Sequence, residues 1–288
     1  AAGAGAAAAA PGVAAALKLS ALVCGGLNLA GFALTAVTGT HKLTDLTGAG
    51  TFVASAWATQ RLVAPAAAAA SLPGLLTLAV SLWGVRLGGY LFYRILQTGE
   101  DKRLAAFFPA PGEPWLSGPS RFPLGLAFFW TLQASWAFVC LLPVTVAQAA
   151  GASAVGPLQA ACLGVFAAGW AAETVADAQK FAFRQNPANK DKFCDVGLWG
   201  VVRYPNYAGE MVVWWALWAA GALAAPQHAW WTVLSPAFVT FLLTKVSGVP
   251  LLEKSHEKRF GGDPAFVEYK ASTPPLIPRL LPGKKAKE

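Results

Sequence analysis

Long apolar runs, separated by short polar segments, make up most of the chain. A helix that crosses a bilayer needs about 20 mostly apolar residues, and about seven runs reach or approach that length. These runs are Val13–Val37, Leu46–Ala67, Ser71–Leu96, Pro123–Ala149, Val155–Phe181, Asn206–Ala224 and Trp230–Val246. The second is the weakest, since Gln60 and Arg61 interrupt it and Pro65 ends it. The pattern predicts an all-α, polytopic integral membrane protein with about seven transmembrane helices, and six or eight remain possible.

The two ends of the chain lack this pattern. Residues 1–12 are rich in Ala and Gly and do not begin with Met, which predicts a disordered or processed N-terminus. Removal of an organelle-targeting segment and a simple truncation explain that start equally well. Residues 281–288 form a basic tail, and no internal repeat is visible. We therefore expect a single membrane domain over residues 13–280.

The composition agrees with a membrane protein. Hydrophobic residues make up 56% of the chain and charged residues 12%, whereas soluble domains carry about 25% charged residues. The 12 Trp residues suit membrane interfaces. A net charge of +8 permits binding to membrane lipid, but the basic residues flank hydrophobic spans, so no nucleic acid is expected as a partner. The four Cys residues form no Cys-x-x-Cys, and neither a metal site nor a disulfide framework is predicted.

Positive charge gathers on one side of the predicted membrane topology. With seven spans, that side receives Lys42, Lys102, Arg103, Arg121, Lys190, Lys192, Arg203 and the tail from Lys254 to Lys287. The opposite loops, residues 150–154 and 225–229, contain no Lys or Arg. By the positive-inside rule the basic side is cytoplasmic, or faces the matrix or stroma of an organelle. We expect the membrane of a plastid or mitochondrion, with the endoplasmic reticulum as the alternative.

A polar stripe marks one face of the third span. Arg86, Tyr90 and Arg94 recur every four residues and therefore share a helix face. Arg94 is close enough to the helix end to reach the interface, whereas Arg86 lies deeper. Small residues of this span allow a neighbouring helix to approach closely, namely Gly84, Gly88 and Gly89.

Charged residues also end the fifth span. Glu173 and Asp177 are four residues apart and share one face, which Lys180 and Arg184 continue. Carboxylates followed by bases suit the sugar and phosphates of a nucleotide, since Arg binds phosphate through paired hydrogen bonds. A solvated helix end with ion pairs between successive turns explains the same spacing equally well.

The polar segment from Lys190 to Glu210 lies between two long apolar runs. Pro205 is expected to start a helix that Asn206 caps. Glu210 is then the only carboxylate of a membrane-length helix, and such a group usually faces a cavity or a partner. Two interpretations remain open. The first is one wall of a ligand cavity, formed by Arg203, Asn206, Tyr207 and Glu210. The second is a purely structural Arg203–Glu210 pair.

No motif of a soluble nucleotide-binding fold is present. The chain contains neither Gly-x-Gly-x-x-Gly after a predicted strand nor a P-loop, and it lacks His-Glu-x-x-His and Gly-x-Ser-x-Gly. Any nucleotide is therefore expected among the membrane helices and their loops.

Four blocks of residues resemble, in order, those of one membrane family. The central block is Asp195-x-Gly-Leu-Trp-x-x-x-Arg203-x-Pro-Asn-Tyr-x-Gly-Glu210. The others are Trp83-Gly-x-Arg-Leu with Gly99-Glu-Asp, Glu173-x-x-x-Asp177 with Asn186-Pro, and Gly248-x-Pro-Leu-Leu-Glu-Lys254. They resemble the steroid 5-alpha-reductase-like membrane proteins, in their uncharacterised DUF-type branch. Sterol reductases and isoprenylcysteine carboxyl methyltransferases are remote relatives of that family, and the likeness covers most of residues 42–279.

This resemblance implies an all-helical fold with a nucleotide cavity on the basic side. Reductases of the family use NADPH to reduce a carbon–carbon double bond conjugated to a carbonyl, so the implied substrate is a lipophilic, steroid-like or isoprenoid enone. Tyr90 and Glu210 are the implied catalytic residues, with Tyr90 as the candidate acid. The implied cofactor-binding residues are Glu173, Asp177, Arg184, Arg203, Asn206, Tyr207, Glu210, His256 and Tyr269.

Two departures from the family pattern keep other functions open. The branch commonly has His at the position of Tyr204, and Gly261-Gly-Asp263 resembles an insertion. A non-enzymatic accessory subunit of a larger membrane complex, on a reductase-like fold, is therefore the second expectation. A methyltransferase that uses S-adenosylmethionine on a lipid or prenyl group is the third.

Overall fold

The computed structural model describes residues 12–63, 65, 69–99, 102–110, 112–151 and 154–279, with the backbone alone at 102 and 103. Within these ranges the fold is all-helical and contains no strand, as the sequence predicts. The α-helices are α1 (Val13–Thr38), α2 (Thr44–Val63), α3 (Leu72–Thr98), α4 (Lys102–Ala105), α5 (Leu124–Ala149), α6 (Pro157–Gln185), α7 (Pro205–Ala224), α8 (Ala229–Thr232), α9 (Leu234–Phe241), α10 (Val249–Phe260) and α11 (Pro264–Ser272). The predicted N-terminal segment 1–12, apart from Gly12, and the basic tail 281–288 lie outside the described residues.

Among the described residues, 5 helical stretches are long and apolar enough to cross a membrane. They are α1, α3, α5, α6 and the stretch Pro226–Phe260, and they fit a polytopic integral membrane protein. Helices α2 and α7 have 20 residues each, which gives each a length of about 30 Å. Neither is among the five stretches that are long and apolar enough to cross a membrane, so the count of about seven stays a prediction.

Two predicted spans differ from the observed helices. The second is predicted over Leu46–Ala67, but α2 ends at Val63, shortly before Pro65, and residues 66–68 lie outside the described ranges. The seventh is predicted as one helix over Trp230–Val246, but the structure divides it into α8, α9 and a π-helical turn over Leu242–Val246. A proline at 236 has no N–H for the carbonyl of the residue four positions earlier, and this interrupts helical bonding between α8 and α9.

Two compact units make up the chain. The first contains Ala1–Gln159 and Ala220–Ser235, and the second contains Ala160–Ala219 and Pro236–Glu288. Most of α6 and α7 therefore belongs to the second unit. All cofactor-binding candidates, from Glu173 to Tyr269, lie in the second unit, whereas Tyr90 lies in the first. The single membrane domain over residues 13–280 stays a prediction.

In the first unit, α2 packs against α1, α3 and α5. A Cβ added at Gly84 of α3 would lie 3.2 Å from the Ala49 backbone oxygen, and one at Gly88 would lie 2.9 Å from the Ala49 Cβ. These two glycines therefore permit the close approach that was predicted for them. The same prediction is wrong for Gly89, where an added Cβ would meet no described atom within 4 Å.

Buried hydrogen bonds fix how α2, α3 and α5 meet. The fully buried Gln148 donates from Nε2 to Thr77 Oγ1 at 2.8 Å and to the Ala56 carbonyl at 3.0 Å. The Gln148 Oε1 accepts from the Thr59 hydroxyl. Polar groups in apolar surroundings need such partners, so this network selects one packing of the three helices.

Candidate functional site

The candidate site of the second unit begins where α6 crosses α7 through two glycines. A Cβ added to Gly209 would lie 2.7 Å from the Gly169 oxygen and 2.8 Å from the Glu173 nitrogen. One added to Gly169 would lie 3.0 Å from the Gly209 oxygen. Because backbone atoms cannot move aside like a flexible side chain, the crossing requires glycine at both positions. It brings the first turns of α7 against the carboxylate-bearing face of α6.

Glu173 and Asp177 are buried at this crossing, with exposed fractions of 2% and 8%. Their shared face therefore points into protein, which contradicts the alternative of a solvated helix end. Asn206 Nδ2 donates to Asp177 Oδ1 at 3.2 Å. Since α7 begins at Pro205, Asn206 lies inside the helix, and the prediction that it caps the helix is wrong. Asn206 Oδ1 is buried and has no hydrogen-bond partner among the described residues.

Motif residues hold the loop between α6 and α7 against α6. Gly197 has a φ of +57°, and a Cβ there would clash with the Gln179 side chain. The Leu198 nitrogen donates to Gln179 Oε1 at 2.9 Å, and Trp199 Nε1 donates to the Ala176 carbonyl at 2.9 Å. The Gly-Leu-Trp part of the central block thus positions the loop. This structural role accounts for these three residues without a ligand.

A small pocket in the second unit is formed by α6, this loop, α10 and α11. Its volume is about 10 Å³, which is room for about one water molecule. Its lining consists of Lys180, Arg184, Phe193, Cys194, Trp199, Arg203, His256, Phe266 and Tyr269. The structure therefore brings together four of the predicted cofactor-binding residues: Arg184, Arg203, His256 and Tyr269.

Positive charge dominates this pocket. Lys180, Arg184 and Arg203 each contribute a cation to the lining. The Lys180 ammonium lies 4.4 Å from the centre of the Trp199 ring. Arg184 donates to the Lys192 carbonyl at 3.0 Å, and no described carboxylate forms an ion pair with it. An excess of like charge in one small region favours an anionic ligand such as a phosphate.

Three acceptors anchor Arg203. Its guanidinium donates to Glu253 Oε1 at 2.9 Å, to the Lys270 carbonyl at 2.7 Å and to the Thr273 carbonyl at 3.0 Å. Sequence reasoning considered Glu210 as the partner of Arg203 and missed Glu253. The Arg203 Nε is buried and has no hydrogen-bond partner among the described residues. The guanidinium is thus held in place, and one of its donors has no described partner.

Tyr204 uses the same carboxylate as Arg203. Its hydroxyl donates to Glu253 Oε1 at 2.8 Å, and Lys270 Nζ lies 3.3 Å from Glu253 Oε2. Burial, and then the neighbouring Glu253, raise the pKa of Tyr204, so the phenol stays a protonated donor at neutral pH. Tyr204 thus links the central block to α10 through Glu253. The one signal that could have identified Glu253 is its place in the Pro-Leu-Leu-Glu block.

Tyr269 and His256 pack within a group of aromatic rings. The Tyr269 hydroxyl donates to the Trp199 carbonyl at 2.6 Å, and its ring stacks 5.0 Å from that of Phe193. Burial raises the pKa of Tyr269, so this phenol also stays protonated at neutral pH. The His256 ring lies 6.5 Å from the Tyr204 ring in a nearly parallel plane. Both residues line the pocket, and both also hold the loop and helices around it.

The remaining predicted residues do not line this pocket. The Tyr207 ring stacks on Tyr204 at 6.1 Å, and Glu210 is half-buried in α7. Tyr90 is half-buried on α3 of the first unit, where Arg94 of the same stripe lies 3.9 Å from Asp45. The catalytic roles of Tyr90 and Glu210 stay predictions.

The donors and acceptors of this site suit a nucleotide such as NADPH. The pocket cations and the buried Arg203 Nε match phosphate oxygens, and the buried Asn206 Oδ1 can accept from a hydroxyl or an amide N–H. The volume of the pocket is too small for such a ligand. Ligand pockets enclose about 300–1,000 Å³, whereas this one encloses about 10 Å³. The chemistry therefore fits the cofactor, while its entry requires side chains to move apart.

Comparisons with known proteins give one match. A family model described as "Protein of unknown function (DUF1295)" matches residues 31–273, a range that includes every candidate site residue from Tyr90 to Tyr269. No curated protein and no solved structure matches the chain. The matched range also contains the four motif blocks, from Trp83 to Lys254.

Proposed function

Because the chain belongs to the DUF1295 family, which is steroid 5-alpha-reductase-like, we propose that it is a membrane-embedded, NADPH-dependent reductase. Its substrate is the carbon–carbon double bond of a lipophilic, steroid-like or isoprenoid enone. The observation that carries this proposal is the cation-lined pocket of the second unit, where Arg184, Arg203, His256 and Tyr269 meet.

Each part of the site has an assigned role. Glu173 and Asp177 accept hydrogen bonds from ribose hydroxyls, and Arg184 binds phosphate. When bound, NADPH supplies a hydride. Glu210 lines the cofactor on α7.

Binding of the cofactor requires the pocket to widen beyond about 10 Å³. Arg184 is the least constrained lining cation, because it is exposed and its one described hydrogen bond is to the Lys192 carbonyl. Arg203 is held by three acceptors, and its buried Nε has no hydrogen-bond partner among the described residues. We therefore propose that the Arg184 side chain moves when the pocket widens and that Arg203 stays in place.

The substitution Asp177→Asn is expected to weaken NADPH binding about 10- to 150-fold, since a hydrogen bond to a charged group is worth about 1.5–3 kcal/mol. The fold is expected to survive, because asparagine keeps an oxygen that can accept from Asn206 Nδ2. Calorimetric titration of NADPH into the detergent-solubilised protein measures the dissociation constant. The control is Asp191→Asn, whose side chain is 88% exposed. An unchanged affinity in folded Asp177→Asn protein rejects the ribose assignment.

A second candidate function is favoured by the small volume of the pocket and by the many contacts that already engage Arg203. On this alternative the chain is a non-enzymatic accessory subunit of a larger membrane complex, and the network around Glu253 is purely structural. Native purification separates the two functions, because a reductase retains or takes up NADPH. A stable complex that never binds nucleotide supports the accessory role.

We also propose seven spans, in the membrane of a plastid or mitochondrion, with residues 182–205 on the basic side and residues 225–229 on the other. Cysteines introduced at Asp191 and Gln227, both exposed, are expected to react with an impermeant maleimide from opposite sides. Gln227 is chosen because residues 152–153 of the other weakly charged loop lie outside the described residues. The unsubstituted protein is the control, because Cys24, Cys140 and Cys194 are buried but Cys162 is partly exposed and sets the background labelling. Labelling of both cysteines from one side contradicts this topology.

A further inference from the structure

The loop that precedes α5 exposes two large apolar side chains at its tip. This loop covers residues 112–122, and its residues Trp115 and Leu116 are 66% and 58% exposed. Neither residue belongs to a helix or to the pocket of the second unit. Adjacent exposed apolar side chains mark a surface that contacts another molecule or a membrane. We call Trp115 and Leu116 the loop tip.

The backbone of the loop tip is strained. Of the described non-glycine residues, only Leu116 and Arg121 have a positive φ, and both lie in this loop. The φ of Leu116 is 67°, and the Ser117 nitrogen donates to the Trp115 carbonyl at 2.8 Å across it. A three-residue turn of this kind is rare, and glycine adopts a positive φ at much lower cost than leucine. Because the Leu116 side chain is mostly exposed, packing against the described residues offsets little of this strain.

Contacts within the loop hold the tip in this conformation. The Leu116 nitrogen donates to the Phe122 carbonyl at 2.9 Å, and the Trp115 ring lies 5.2 Å from the Phe122 ring. Glu113 Oε1 accepts from the Ser120 nitrogen at 2.7 Å. Phe122 is itself buried. A fixed scaffold therefore displays the two apolar side chains outward, and a contact outside the chain gives leucine a physical reason at its strained position.

The loop tip lies beside the start of a candidate membrane span. Helix α5 is such a span, and it begins at Leu124, two residues after Phe122. Because Trp115 and Leu116 both contact Phe122, the tip lies close to the first turn of α5. It is therefore placed near the level at which α5 enters the bilayer.

The outward face of α5 begins at the same level. Apolar residues spaced four apart share this face, and each is more than half exposed: Leu124, Phe128 and Leu132. An exposed apolar face on a membrane span contacts the acyl chains of lipid. The loop tip thus adjoins a surface that α5 itself presents to lipid.

The residue types of the loop suit the boundary between headgroups and acyl chains. Trp is enriched at that boundary. Arg121, an exposed cation of the same loop, suits a lipid phosphate. The Glu113 carboxylate is engaged by the backbone of the loop, at the Ser120 nitrogen. An apolar tip, a nearby cation and an adjoining lipid-facing helix favour a lipid bilayer over a second protein as the partner.

We propose that the loop tip inserts into the bilayer interface and anchors the segment before α5 to the membrane surface. Trp115 lies between the headgroups and the acyl chains, and Leu116 contacts the acyl chains. Arg121 binds a lipid phosphate. The strain at Leu116 is offset by this contact with lipid, which the isolated chain does not provide.

A nitroxide label on Leu116→Cys reports the depth of the tip. The full chain, with Cys162→Ser to remove the partly exposed thiol, is placed in phosphatidylcholine nanodiscs. Collision rates of the label with oxygen and with a water-soluble nickel chelate are measured by electron paramagnetic resonance. We expect oxygen to reach the Leu116 label more readily than nickel does. The control is a label on Asp191→Cys, whose native side chain is 88% exposed, and there we expect the reverse.

The substitution Trp115→Ser tests the anchor itself. In the protein labelled at Leu116→Cys it is expected to lower the ratio of inserted to water-exposed label about tenfold, because burial of a large apolar side chain drives insertion. A ratio that stays within twofold would overturn the role of Trp115.

Three further results would overturn the proposal. If nickel reaches the Leu116 label as readily as the Asp191 label, the tip lies in water. If neither reagent reaches it, a protein surface covers the tip. The third is a lower melting temperature of detergent-solubilised Leu116→Gly, which would show that the leucine side chain stabilises the fold. The proposal expects Leu116→Gly to melt close to wild type, because glycine fits the positive φ and the lost side chain is exposed.

Discussion

Replacing Gly209 with valine is expected to destabilise the second unit strongly. The added Cβ would lie 2.7 Å from the Gly169 oxygen and 2.8 Å from the Glu173 nitrogen, and both are backbone atoms. Overpacking of this kind costs about 1–3 kcal/mol and more where nothing can yield, out of a total stability of about 5–15 kcal/mol. The melting temperature of the purified protein is expected to fall by about 10 °C or more.

Gly164 supplies the matched control for this substitution. It lies on α6, and an added Cβ there would meet no described atom within 4 Å. Gly164→Val is therefore expected to change the melting temperature little, because the residue is exposed and valine is no worse a helix former than glycine. An equal fall in both variants, or no fall in Gly209→Val, contradicts the close crossing of α6 and α7.

The pattern of apolar residues along the sequence predicts most of the helices, because a helix that crosses a membrane must be mostly apolar. Pro205 correctly marks the start of α7, since proline fits the first helical turn. Patterning fails at the predicted seventh span because apolar residues continue through Pro236, where the hydrogen bonding is interrupted. The sequence pattern also fails to predict that no described helix approaches Gly89 closely. The spacing of glycines shows that they lie on a helix, but it does not show which neighbour each one faces.

The candidate site is less predictable than the helices. The partner of Arg203 is Glu253, 50 residues further along the chain, and only folding brings the two together. Several motif residues prove to have structural contacts, since Gly197 and Trp199 position a loop and Gly209 permits a helix crossing. A family motif therefore mixes residues that build the fold with residues that could bind a ligand, and fold alone does not fix function.

Arg184→Ala is expected to weaken cofactor binding as strongly as Asp177→Asn does. Arg184 is a lining cation without a described ion-pair partner, and its hydrogen bond to the Lys192 carbonyl is exposed. Its loss therefore costs the fold little, whereas a lost charged contact to phosphate weakens binding about 10- to 150-fold. Lys258→Ala is the control, because it removes the same charge from an exposed position on α10. Equal NADPH affinities for the two variants would contradict the phosphate assignment.

The NADPH-induced change in melting temperature of the purified, lipid-supported protein tests the central claim most directly. The account predicts a rise for wild type and for Lys258→Ala that grows with NADPH concentration, and little or no rise for Arg184→Ala. A folded wild-type protein whose melting temperature does not respond to millimolar NADPH would contradict the proposed reductase.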